Sequence, residues 1–198
     1  MIEIVQNGNP VLRKVAKEVS IADITHKDIQ KVLKDMSLAL HSQDDGVAIA
    51  APQIGVSLRI FVVSGRIFEE DFIRGPARPH DGSGAGGEKL GTERNKENSL
   101  NKVHHPDLVF INPIFKKISK DRKLLAEGCL SVRPIYGKVR RATKATVEAY
   151  NEHGHKFTLE GTGLLAHIFQ HETDHLDGVL FIDKARDMHE STPEEAYK

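Results

Sequence analysis

The sequence predicts an α+β fold, with mixed or antiparallel β-sheets packed around a central helix that carries a His-Glu-x-x-His segment. Three observations predict it. Residues 25–40 and 162–175 both place apolar side chains at helical spacing. Short runs rich in β-branched residues lie between them. Two of these runs, 145–150 and 156–159, are split by Asn151-Glu152-His153-Gly154, the spacing of a hairpin.

Taken in order, residues 1–20 read as an extended lead-in with a helical turn near Pro10–Ala16. Thr25 can cap the first long helix, with Asp28 three residues on. Ile29, Val32, Leu33, Met36 and Leu40 share one face of it, and Asp44-Asp45-Gly46 stops it. Residues 46–55 (GVAIAAPQIG) form a small-residue loop. Residues 59–63 and 108–111 read as strands, the second ending at Asn112-Pro113. After the hairpin comes the second long helix, 162–175, with Gly178 placed to end it. Residues 179–182 are a short apolar run.

The 198 residues suit one domain with a single core. Residues 65–105 are rich in glycine and charge, cannot bury a core, and are expected as a flexible surface insertion. The polar tail from about 188 is expected to be loosely held. Lys+Arg and Asp+Glu both total 28, so no global basic field draws nucleic acid, and no specific nucleic acid is expected. Trp is absent, which argues against base-stacking platforms. No apolar run approaches the roughly 20 residues needed to span a bilayer. The N-terminus lacks a signal-peptide pattern, and the single cysteine, Cys129, excludes an intrachain disulfide. Together these point to the cytoplasm.

The chemistry concentrates in His171-Glu172-Thr173-Asp174-His175. Residues four apart project from one helix face, so His171 and His175 can bind one metal ion. Glu172 then reaches a metal-activated water as general base. Leu164, Leu165, Ile168 and Phe169 just upstream argue that this helix is buried. A catalytic site of this kind needs a third protein ligand. Phe181 stands where one protease class has its third histidine, which excludes that class. Glu194 and Glu195 have the spacing of another class but lie in the polar tail. Cys129, after Gly128, is the strongest candidate, because a thiolate suits Fe(II) or Zn(II). A metalloendopeptidase using the same helix is the competing class.

Three segments in order, Gly46-Val47-Ala48-Ile49-Ala50-Ala51-Pro52-Gln53, Glu127-Gly128-Cys129-Leu130-Ser131 and the helix motif, resemble the signatures of the peptide deformylases. The similarity extends through Gln170, residues 176–181 and the Pro10–Arg13 stretch. The resemblance implies that Cys129, His171 and His175 hold one divalent ion, commonly Fe(II), with Zn(II) or Ni(II) able to replace it. Glu172 would move the proton. Gln53 and the backbone N–H of Leu130 would donate to the oxyanion, and backbone around Ala48, Ile49 and Gly128 would pair with an extended peptide. The implied reaction is removal of the N-formyl group from the starting methionine of new polypeptides, at the ribosome. Ser131 and Glu127 are expected to hold the cysteine segment in place, Asp174 to pair with a cation, and Arg140 and Arg141 to be solvated, with the alternative that one of them neutralises an acidic partner such as Glu127 or binds peptide. Ala48 replaces the second glycine of the first signature, which either strains the backbone or narrows the pocket. Val132-Arg133-Pro134 departs from the Val-Pro that many members carry after the serine.

Overall fold

The computed structural model describes residues 2–69 and 105–192. The chain divides into one compact unit of Met1–Ser64 with Asp107–Lys198 and a second of Gly65–Pro106. Most of the insertion expected at about 65–105 lies outside the described residues, as does the end of the tail. Within the second unit, Gly65–Phe68 forms a 3-10 turn. Everything that follows concerns the first unit.

The helix predicted over 25–40 runs Lys27–His41 (α1). Its N-cap is His26 rather than Thr25, and no side chain caps it. Leu33, Met36, Ala39 and Leu40 form its buried face and pack on Ile49, Ile60, Val62 and Ile111. The expected loop 46–55 is ordered instead. Ala48–Ala50 forms β1, and Ala51–Ile54 a 3-10 turn closed by Gly55 in the left-handed region. Small buried side chains allow this segment to lie flat under α1.

Strand β2 is Ile60–Val63. Strand β3, predicted to stop at Asn112-Pro113, runs Leu108–Ile118. The pair is absorbed as an irregularity in the ladder. Asn112 takes φ 50, and its side chain accepts from the Val19 N–H at 2.8 Å and donates to the Val19 carbonyl at 2.7 Å. Proline thus stands where no ladder donor is needed. The hairpin is found as β6 (Lys144–Tyr150) and β7 (Lys156–Thr162).

Three further strands escape the sequence reading. Arg122–Gly128 (β4), Ile135–Ala142 (β5) and Arg186–Glu190 (β8) form a second sheet. Met188–Glu190, expected in a loose tail, belong to β8, a wholly exposed edge strand with no apolar face to announce it. The first sheet has the order β1-β2-β3-β6-β7. All pairings between named strands are antiparallel, not mixed; the parallel contact is an isolated bridge, Lys17 to Leu58.

The second long helix, α2, spans Gly163–Leu176 and packs on β1, β2, β6 and β7 of one sheet and on β5 of the other. Phe169 binds it to the first sheet, with its ring 5.2 Å from Phe110 and 6.3 Å from Phe61. Gly161 on β7 makes room, since a Cβ there would lie 2.8 Å from the Phe169 ring. Gln170 binds it to the second sheet, accepting from the Ala142 N–H at 2.9 Å and donating to the Ala142 carbonyl at 3.0 Å. A buried amide thereby completes the end of β5 as a strand neighbour would. Among the described residues, no helix is long and apolar enough to cross a membrane.

Candidate active site

Three separate segments converge where α2 passes the end of β4. Cys129 follows β4 directly, and His171 and His175 sit one turn apart on α2. The Cys129 Sγ lies 3.2 Å from His175 Nε2, and one donor atom from each of the three residues falls within 4.8 Å of the others. The two imidazoles meet edge to face, with ring centroids 4.9 Å apart.

Glu127 organises the cluster from behind. Its Oε1 lies 2.6 Å from His171 Nδ1, and its Oε2 lies 2.6 Å from His167 Nε2. Arg141 donates to both oxygens, at 2.6 and 3.0 Å, and to Asp174 at 2.6 Å. Lys184 also reaches Asp174, at 2.7 Å. Asp174 therefore pairs with cations as expected. Arg141 does not stand in solvent; only 4% of it is exposed. Strand alternation explains the difference, because Val139 and Arg141 turn inward toward α2 while Lys138 and Arg140 turn outward. His167, one helical turn before His171, has no forewarning beyond that spacing.

The charges follow from these contacts. Burial opposes ionisation of Glu127, yet the His171 charge and the hydrogen bonds from His167, His171 and Arg141 hold it well below the usual carboxylate range. Burial would lower His171, but Glu127 pulls it well above the ordinary value. Burial, aided by the His171 charge, holds His175 low and neutral. Burial pushes the Glu172 carboxyl up to about 7. The Oε2 of Glu172 and the Nδ1 of His175 are buried with no hydrogen-bond partner among the described residues.

Gln53 enters from the turn after β1 and is almost fully buried. Its Oε1 accepts from the Ala50 N–H at 2.8 Å, which turns its Nε2 toward Cys129 Sγ at 3.5 Å and Ser131 Oγ at 3.2 Å. Ser131 is buried and steadies this amide. The backbone N–H of Leu130 has no acceptor among the described residues.

Strand β1 is an edge of its sheet. The bond from the Ser64 N–H to the Val47 carbonyl fixes the alternation of the ladder. Ile49 opposite Val62 turns its backbone groups toward β2, and Ala48 and Ala50 turn theirs to the open edge. The side chain of Ile49 belongs to the core. Of the residues expected to pair with a peptide, Ala48 thus presents its backbone groups to the open edge and Ile49 does not. Ala48 does not have positive φ, so its methyl brings no backbone strain. At Gly128 a Cβ would stand 2.4 Å from the ring of Tyr136, its cross-strand partner. Arg133, foreign to the signature, forms an ion pair with Asp45 that joins the loop after Cys129 to the loop before β1.

Comparison with known proteins agrees with this arrangement. The family model described as polypeptide deformylase matches residues 1–191. Peptide deformylase of Desulfitobacterium hafniense is 37% identical over 185 residues, which are 93% of this chain and 94% of that one. Peptide deformylase 1A, chloroplastic/mitochondrial, of Arabidopsis thaliana is 37% identical over 182 residues, and the match spans 92% of this chain but 60% of the plant protein. Among solved structures, a Synechococcus elongatus peptide deformylase in complex with actinonin superposes with a TM-score of 0.69 at 28% identity, covering 94% of this chain and 79% of that one. A Met-Ala-Ser-bound Acinetobacter baumannii enzyme gives 0.70 at 26% identity, covering 93% and 98%. The chain belongs to the polypeptide deformylase family, the metal-dependent hydrolases that remove the N-formyl group from nascent chains.

Proposed function

We propose that Cys129, His171 and His175 hold one divalent ion, Fe(II) in the cell with Zn(II) or Ni(II) able to replace it. In this reading α2 is the central element of the site, and Glu172, Gln53 and Leu130 act on the formyl group of an N-formylmethionyl peptide. The donors present fit such an ion. A thiolate with two imidazoles suits these metals. Glu127 on His171 Nδ1 leaves Nε2 as the ligand atom. A carboxylate there favours positive charge at Nε2, whether a proton or a metal brings it. When bound, the ion supplies Lewis acidity and lowers the pKa of water.

The remaining work falls to the chain itself. Water adds to the formyl carbon, and the C–N bond breaks to give formate and the free methionine amine. Glu172 takes the proton of the attacking water at Oε2 and passes it to the departing nitrogen. The observation that carries this role is that the Oε2 of Glu172, the residue next to His171, is buried and has no hydrogen-bond partner among the described residues. Gln53 Nε2, aimed by its bond from Ala50, and the free N–H of Leu130 donate to the oxygen as it gains charge. The peptide lies along β1 as an added strand, bonded to Ala48 on one side and to backbone near Gly128 on the other. Such peptides emerge at the ribosome, in the cytoplasm.

The test is turnover. Purified without oxygen and loaded with Fe(II), the full chain should release free amine from formyl-Met-Ala-Ser and none from the acetylated peptide. Full metal occupancy with no release from the formyl peptide would sink the assignment.

A further inference from the structure

The outer face of the β4-β5-β8 sheet is not used by the deformylation chemistry. Arg122 and Leu124 on β4, Lys138 and Arg140 on β5, Lys184 and Arg186 line an open groove of about 390 Å³. Five of the six are cations, and no carboxylate lines it. Lys138 stands directly across the ladder from Arg186, a like-charge pair that costs stability. Two of the five are partly neutralised: Lys138 reaches Asp187 at 3.3 Å, and Lys184 is held by Asp174 at 2.7 Å. Among the described residues, no carboxylate pairs with Arg122, Arg140 or Arg186. In a chain of zero net charge, this is a deliberate segregation of positive charge.

We infer that this groove binds the phosphodiester backbone of RNA without reading its sequence. Guanidinium groups stay charged and present a planar fork to phosphate oxygens. The cations are spread over three strands and do not converge on one point, which suits a linear polyanion better than a single small anion. No aromatic side chain lines the groove, so bases have nothing to stack on. Leu124 is its one apolar residue, too little for the buried anchor of a protein partner. Glu127 and Arg141 turn the other way, toward α2, so an RNA strand in the groove leaves the site at Cys129 open.

The probe is a labelled RNA hairpin, with binding followed by fluorescence anisotropy between about 50 and 200 mM salt. The metal-loaded full chain should bind with an affinity that falls steeply with salt, by a slope of about 0.7 to 0.9 per phosphate contacted. Changing Arg122, Arg140 and Arg186 together to Gln should weaken binding by roughly two orders of magnitude and cut the slope by about 3, with turnover of formyl-Met-Ala-Ser unchanged. Should that triple variant fold poorly, Arg140→Gln and Arg186→Gln singly should each cut the slope by about 1. Unchanged affinity and slope in the variants overturn the inference. So does tighter binding to poly-glutamate, or to phosphatidylglycerol vesicles, than to RNA.

Discussion

Glu127 shows how much one residue can carry without touching substrate. It is buried, accepts from Arg141 twice, and faces His167 and His171 at 2.6 Å each. Removing its charge leaves Arg141 buried and half-paired. Glu127→Gln should therefore cost about 3–5 kcal/mol of stability and about 10- to 100-fold in metal affinity. Denaturant unfolding and metal titration check the two separately, and wild-type metal affinity would show that His171 needs no such support. Glu172→Gln should behave in the opposite way, keeping the metal and losing about 10²- to 10⁴-fold in turnover. An unchanged rate would remove Glu172 as the base. Gln53→Ala should lose about 10²- to 10³-fold in kcat with metal content intact. At this scale the Cys129-His171-His175 cluster was legible because these residues carry chemistry that few other roles require. Arg141 was not. It follows Arg140 in sequence, and only the strand period turns one outward and the other to Glu127.

Elements were legible where burial is one-sided or complete. Both long helices and the β6–β7 hairpin lie close to their predicted spans, because apolar residues mark one face of each. Strand β4 was not, since its sequence (RKLLAEG) is mostly exposed and buries chiefly the charged Glu127. β1 looked like a loop because it has only three residues, all of them buried, which leaves no pattern of alternation. The β4–β5 pair also yields a prediction. Gly128 faces the Tyr136 ring so closely that a methyl would meet it at 2.4 Å. Gly128→Ala should destabilise the sheet by about 1–3 kcal/mol and shift the neighbouring Cys129. A thermal melt together with metal affinity would register both; a variant that matches the parent in each would mean that the ring simply swings aside.

At the scale of the whole molecule, the site ties together segments far apart in the chain. Residue 129 directly follows β4, residues 171 and 175 lie on α2, and Gln53 reaches in from beyond β1. An ion held by the first three would link the second sheet to the helix that packs on both sheets. Metal in hundredfold excess over its dissociation constant should stabilise the fold by about 2.7 kcal/mol. Calorimetry before and after chelation should show a fall in Tm. The same treatment should leave Cys129→Ala unmoved, and an equal fall in that variant would mean that the thiolate is not a ligand.

The brevity of β1 has a consequence for timing. Only three residues form this edge, and the turn that carries Gln53 follows at once. On the proposed pairing, a guest chain joins this edge only while it is extended and its own backbone groups are unclaimed. An N-terminus already wound into a helix or sewn into a sheet offers no such partner. Removal of the formyl group is therefore a race against the folding of the client, and the enzyme has to win it while the start of the new chain is still loose.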